Sequence, residues 1–252
     1  MRMKEDHMKN GQLKAGYNVQ ISTENQIIVN YSLHQTSTDF STLKPHLENF
    51  KNLYGEEHFN EIENVTADAG YGSCENYEYL ADQGITSYIK YNTFDMERKR
   101  KTSKKAMQNI KDRQFLYYNP EQDFYICPMG QRMNPVQTRK TKTSTGFIQH
   151  VTVYQAQRCE GCPLRGVCHS GQGNRRIERN HQLERHKAGV RERLLSETGI
   201  EKRKRRSIEV EPVFGHIKSN RRFKRFTMRG LRMTELEFGL HAMAHNMLKM
   251  AA

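Results

Sequence analysis

The chain has 252 residues, enough for one good-sized domain and an insertion. Lysine and arginine number 41 against 28 aspartate and glutamate, a formal charge of +13. That surplus points to a polyanionic partner, because each phosphate neutralised releases condensed counterions. There is no long apolar run and no basic amphipathic helix with aromatic anchors, which favours nucleic acid over a membrane surface. The N-terminal residues lack the apolar core of a secretory signal, so the expected compartment is cytoplasmic, with five cysteines reduced unless a metal holds them.

Tyr17 to Ser22 and Gln26 to His34 are β-rich runs separated by Thr23, Glu24 and Asn25, a hairpin signal. From Phe40 to Gly55, Leu43, Leu47, Phe50 and Leu53 recur at helical spacing and Gly55 reads as a stop. A short strand around Val65 and Ala67 ends at Asp68; Gly70 and Gly72 let the chain turn sharply. Ser73 with Glu75 reads as a helix start, Gly84 closes that helix near Gln83, and a strand follows from Ile85 to Tyr91. The order β-β-α-β-α-β predicts a mixed sheet with helices packed on it. Asp68 stands where a strand gives way to a loop, a place where α/β folds put chemical residues. An isolated aspartate there also commonly caps a turn.

Asp95 to Lys111 is dense in charge and reads as a solvated linker. The region from Phe115 to about Gly173 is β-rich and carries Cys127, Cys159, Cys162 and Cys168. The C-x2-C spacing of Cys159 and Cys162 lets two thiolates ligate one Zn²⁺ from a tight turn, and Cys127 and Cys168 would complete a four-sulfur site. A small β region with few large apolar residues needs such a staple. His169 is an alternative to Cys168 as ligand, and Cys74 reads as an ordinary helix residue. From Asn180 onward the pattern is helical.

Arg206 to Gly230 is the most informative run. Glu211 and Lys218 are seven residues apart, nearly in line on a helix, while Val210, Phe214 and Ile217 form an apolar stripe. Pro212 places the helix start near Glu211 or a kink there. Arg221, Arg222, Lys224 and Arg225 interleave with Phe223 and Phe226, a pattern that suits a phosphate-tracking surface. Farther on, His241 and His245 are four apart, but with Ala242 between them and Leu236, Leu240, Met243 and Met247 around them they read as helix-packing positions rather than a zinc pair.

Taken in order, "GYNVQ", "ADAGYGSCENYEYL", the cysteine insert, "EVEPVFGHIK", "RRFKRFTMRG" and "HAMAHNMLKM" resemble successive segments of the DDE-type transposases of bacterial insertion sequences. The resemblance implies an RNase H-like α/β fold: a mixed sheet flanked by helices, interrupted by a small β-rich cysteine-containing insertion. It divides the chain into 1–94, the first part of the catalytic domain; 95–175, linker and zinc-binding insertion; and 176–252, the helical C-terminal part. It implies cleavage and strand transfer on double-stranded DNA at the element's ends, with Mg²⁺ or Mn²⁺ held by Asp68 and Glu211. Lys218 would contact phosphate, with Arg206 near the glutamate. A homo-oligomer on DNA, associated with the nucleoid, is also implied.

The chain departs from the family pattern in three ways. The family's tyrosine and arginine upstream of the glutamate fall at Lys204 and Ser207, with Arg206 one residue out. Glu209 offers a rival register with Arg205 at the right distance, but His216 then replaces the lysine, so "EPVFGHIK" favours Glu211. The family's first aspartate has no counterpart in a strand pattern: Asp6 lies in a polar run and Asp39 lies after the second strand. The resemblance therefore implies a chain starting at an internal methionine of a longer transposase, with an impaired metal site. A zinc-stapled DNA-binding remnant without catalysis is the alternative expectation.

Overall fold

The computed structural model describes residues 2–5, 11–100, 112–113 and 116–251. Asp6 and residues 101–111 of the charged run lie outside them. The chain forms two compact units, Met1–Asn92 with Gly189–Ala252, and Thr93–Ala188.

In the first unit, β1 (Arg2–Glu5) pairs antiparallel with β2 (Leu13–Gly16), a ladder the sequence pattern does not announce. β3 (Asn18–Glu24) and β4 (Ile27–His34) form the expected hairpin. Asn25 and Gln26 take positive φ at its turn, the backbone twist that two-residue hairpin loops need. α1 (Leu43–Asn60) is broken at Gly55, where φ is 86°, so the expected stop is real although the chain resumes its helix beyond it. Leu43 and Leu47 are buried, but Leu53 faces solvent. β5 (Asn64–Val65) pairs parallel with β6 (Thr86–Ser87), and α2 (Cys74–Asp82) connects them, with Ser73 Oγ accepting the Asn76 amide at its start.

From β3 to β6 the element order is the expected one. The single mixed sheet is not formed among the described residues: the hairpin and the β5–β6 pair are separate two-stranded ladders. Strands of two residues offer few ladder bonds with which to join a neighbour.

After α4 (His181–Leu195) and α5 (Glu197–Glu209), the chain continues through α6 (Glu211–Gly215), a wider turn at His216–Asn220, and α7 (Leu231–Met250). The core of this unit joins Ile28 and Leu33 of β4 to Val213, Ile217, Phe238 and Ala242. Within α7 the buried face is Thr234, Phe238, Ala242 and His245; Leu236, Leu240, Met243 and Met247, expected to pack, are exposed instead. Both faces of α7 are apolar, and the one carrying Phe238 meets Tyr31 of β4 at 5.5 Å between ring centroids.

Beneath the hairpin, His46 of α1 is bonded at both ring nitrogens, to Ser22 Oγ at 2.8 Å and Ser32 Oγ at 2.7 Å. Burial, reinforced by nearby His34, lowers its pKa to about 4.

The second unit holds α3 (Phe94–Arg100), so the charged run begins as a helix with Phe94 buried rather than as a solvated linker throughout. Its sheet is antiparallel, in the order β11 (Arg176–Arg179), β10 (Ile148–Ala156), β9 (Arg132–Lys142), β8 (Phe124–Ile126), β7 (Tyr117–Asn119). The sheet thus runs past residue 175 into β11. Contrary to the expectation of a region too poor to form a core, Tyr125, Met133, Tyr154, Ala156, Cys159 and Ile177 pack together. Tyr154 is fully buried apart from its hydroxyl partners, Asp123 and His181. The tyrosines supply the apolar area that aliphatic residues do not.

Candidate active site and nucleic-acid interface

Asp68 follows β5 in extended backbone and begins a short 3₁₀ turn, Ala69–Tyr71. Its side chain is exposed at the surface and its Oδ1 accepts the Ala69 amide at 2.8 Å, so it does cap a turn. The glycines act through close approach rather than through positive φ. A Cβ at Gly72 would lie 2.4 Å from the Lys90 carbonyl oxygen, and one at Gly70 would lie 2.9 Å from Asp39 Oδ2.

Asp39, which the sequence pattern sets aside, is thereby brought against the Asp68 loop. Its Oδ1 accepts Asn18 Nδ2 at 2.6 Å, tying the start of β3 to the loop. Burial raises the pKa of the Tyr71 hydroxyl, and the two carboxylates Asp39 and Asp68 raise it further. Gly70 is the only local trace of this approach in the sequence, and it does not name its neighbour.

Glu211 opens α6, and Pro212 sits in the first turn, where its missing amide costs nothing. Val210 is the junction with α5, and helical bonds continue across it, from the Val210 amide to Arg206 and from the Phe214 amide to Val210. Of the expected stripe Val210, Phe214 and Ile217, Ile217 is fully buried, together with Val213, while Val210 and Phe214 are half-buried. Arg206 Nη2 lies 3.4 Å from Glu211 Oε1, and the Glu211 side chain is 63% exposed. Glu209 is differently engaged: Oε2 accepts the Gln26 amide at 2.7 Å and Oε1 accepts Arg205 Nε at 3.0 Å.

The π turn at His216–Asn220 advances less per residue around the axis than an α-helix, so Lys218 falls short of the line above Glu211. Its Nζ stands 4.6 Å from the centre of the Phe214 ring.

The basic segment that follows sorts into two sides. Phe223 and Phe226 pack edge to face at 5.0 Å and join the core, while Arg222, Lys224 and Arg225 are exposed. Arg221 Nη1 donates to His245 Nδ1 at 3.0 Å, so His245 Nε2 donates to the Gln26 carbonyl at 2.8 Å. His241 lies against Phe223 at 4.4 Å. The histidines are packing and hydrogen-bonding residues, as their setting predicts.

Sequence reasoning missed Glu237. It is buried and accepts the amides of Thr227 and Met228 and the Thr227 hydroxyl, all at 2.9–3.0 Å. Burial alone would raise its pKa, but the Met228 and Thr227 donors carry it below the ordinary glutamate value. It brackets the end of the basic segment; of the two acids in α7, Glu235 and Glu237, only Glu237 falls on the helix face that carries Thr234 and Phe238, and that placement is the signal that could have found it.

Cys127, Cys159, Cys162 and Cys168 line one pocket together with His169 and the buried Arg175. Arg175 Nη1 is 2.8 Å from Cys168 Sγ, and its amide donates to Cys159 Sγ at 3.3 Å. Among the described residues, no group of three or more His, Cys, Asp or Glu lies in an arrangement that could hold a metal ion. The expected tetrahedral zinc geometry is therefore not present, and neither is a three-carboxylate cluster at Asp68 and Glu211. The donor chemistry still sorts cleanly: hard carboxylate oxygens in the first unit, soft thiols in the second.

An α/β chain with a strongly basic surface segment after a helix-borne glutamate has the makings of a protein that acts on nucleic acid. The Transposase DDE domain family matches residues 126–251, half of the chain, and the protein belongs to that family. The match takes in the four pocket cysteines, Glu211, Lys218 and the basic segment, and stops short of Asp68. No curated protein and no solved structure matches the chain. Among the described residues no helix is long and apolar enough to cross a membrane.

Proposed function

We propose that this transposase-family chain cleaves and joins DNA phosphodiester bonds at insertion-sequence ends, with Asp68 and Glu211 as its catalytic carboxylates. The observation that carries the reading is the contrast between two neighbouring glutamates. Glu209 is committed to the hairpin turn, whereas Glu211 is exposed, steadied by Arg206, at the head of a segment whose cations face outward. Residues 1–92 with 189–252 form an RNase H-like catalytic body in this reading, and 93–188 are an insertion within it.

Arg206 orients the Glu211 carboxylate, and Ala69 orients that of Asp68. Lys218, Arg221, Arg222, Lys224 and Arg225 neutralise phosphates along double-stranded DNA. Mg²⁺ or Mn²⁺, when held by the two carboxylates, supplies activation of the attacking oxygen and stabilisation of the leaving one. Cys127, Cys159, Cys162 and Cys168, already around one pocket, would hold Zn²⁺ as a structural staple once Arg175 releases the Cys168 sulfur. The protein works in the bacterial cytoplasm, on the nucleoid, as a homo-oligomer.

The test is cleavage of a supercoiled plasmid carrying the element's ends, with Mg²⁺ or Mn²⁺. Cleavage that disappears in Asp68→Ala and in Glu211→Ala, with DNA binding retained, supports the reading; cleavage surviving both removes it.

A second reading, a zinc-stapled DNA-binding protein without catalysis, is favoured by one observation: among the described residues no three carboxylates come together. It requires salt-sensitive DNA binding that survives both carboxylate substitutions, zinc measurable by atomic absorption, and loss of binding in Cys159→Ser.

A further inference from the structure

The outer face of α7 has a regular pattern. Met233, Leu236, Leu240, Met243, Met247 and Met250 are spaced three, four, three, four and three residues apart, and all are between 44% and 79% exposed. That spacing is the a/d repeat of a coiled-coil seam, in which each side chain enters a hole on a facing helix. The opposite face, through Thr234, Phe238, Ala242 and His245, is the one buried in the chain's own core. The helix therefore has one face in use and a second, apolar stripe that is exposed among the described residues.

We propose that this face pairs with α7 of a second copy of the chain, antiparallel about a two-fold axis. This deepens the oligomer part of the function proposed above by naming its surface.

A knob-into-hole seam needs a partner with the same repeat, and an identical copy supplies it at every layer. The six residues are symmetric about the point between His241 and Ala242, so antiparallel pairing sets Met233 against Met250, Leu236 against Met247 and Leu240 against Met243 over nearly the whole helix. It also opposes the two helix dipoles. Covering the exposed parts of these side chains removes roughly 700 Å² per protomer, about 1,400 Å² for the pair, within the roughly 1,200–2,000 Å² of stable interfaces. A patch of that size is beyond the 300–600 Å² that monomers ordinarily leave open.

Analytical ultracentrifugation of the full chain tests the proposal. The wild type is expected at twice its 29.6 kDa. Leu240→Lys and Met243→Glu should each weaken the dimer at least 100-fold, and an equimolar mixture of the two should restore it. The register places the introduced lysine against the introduced glutamate in one of the two central layers and leaves the native pair in the other. Restoration also shows that both variants fold.

A wild type that stays monomeric overturns the pairing; the oligomer reading itself falls only if the chain also stays monomeric when bound to the element's ends. Dimers that persist in both variants overturn this surface alone. Variants that are monomeric and stay so when mixed overturn the antiparallel register.

Discussion

The carboxylate of Glu209 accepts the backbone amide of Gln26 at 2.7 Å, fastening the end of α5 to the hairpin turn that lies 183 residues earlier. Its neighbour Glu211 makes one exposed ion pair. The two should therefore separate stability from activity. Glu209→Ala leaves the Gln26 amide without its acceptor and should lower stability by about 1–3 kcal/mol. Glu211→Ala should shift stability by no more than about 0.5 kcal/mol while abolishing metal-dependent cleavage. Urea midpoints beside plasmid cleavage decide the matter, and the reverse pattern would return the catalytic role to Glu209.

Gly72 has no room for a methyl group. The obstacle is the Lys90 backbone carbonyl rather than a flexible side chain, so Gly72→Ala must displace the chain between Asp68 and α2. An expected cost of about 3 kcal/mol, at the upper end for overpacking, should appear as a lower urea midpoint. An unchanged midpoint would mean that the loop does not approach the Lys90 backbone.

Removing Glu237 frees the amides of Thr227 and Met228 and loosens the attachment of the basic segment to α7. Glu237→Ala should cost about 1–3 kcal/mol and weaken DNA binding without removing a cation. Lys224→Ala should leave stability unchanged and reduce the slope of log affinity against log salt by about one. Filter binding across a salt series separates the two effects; a steeper loss of slope in Glu237→Ala would argue against a purely positioning role.

Protonation of His46 should destabilise the hairpin side of the first unit. Its folded pKa, about 4, lies below the ordinary 6.5, so the stability it contributes is present above pH 6.5 and is lost as pH falls toward 4. A shift of that size corresponds to about 3 kcal/mol. The decline should be flatter between these values in His46→Gln, measured by urea unfolding at each pH. Parallel profiles would locate the acid sensitivity elsewhere.

The residues that announce the fold are those whose backbone chemistry is local. Asn25 at the hairpin turn, Gly55 within α1, Ser73 before α2 and Pro212 in α6 each mark a boundary that the structure keeps. What the pattern does not show is long-range. Asp39 meets Gly70 only because two loops converge, and Arg175 reaches the thiols from a strand edge. In α7, two apolar faces give no local reason to prefer one for burial; the choice rests with Tyr31 and β4. The tyrosine-rich core of the sheet does not show in aliphatic counts, which understate aromatic area.

The hairpin turn is gripped almost entirely from far downstream: Glu209 and Ile208 hold Gln26, Arg205 holds Asn25, His245 holds the Gln26 carbonyl, and the Asn246 side-chain amide makes both bonds to the Ile28 backbone. On the ribosome those partners emerge after the whole of residues 93–188. The antiparallel sheet of residues 93–188, with its nearby pairings, can assemble while Ile28 and Leu33 still wait for α7. The hairpin strands should thus become native later than the sheet that follows them in the chain, with their apolar faces open in the interval.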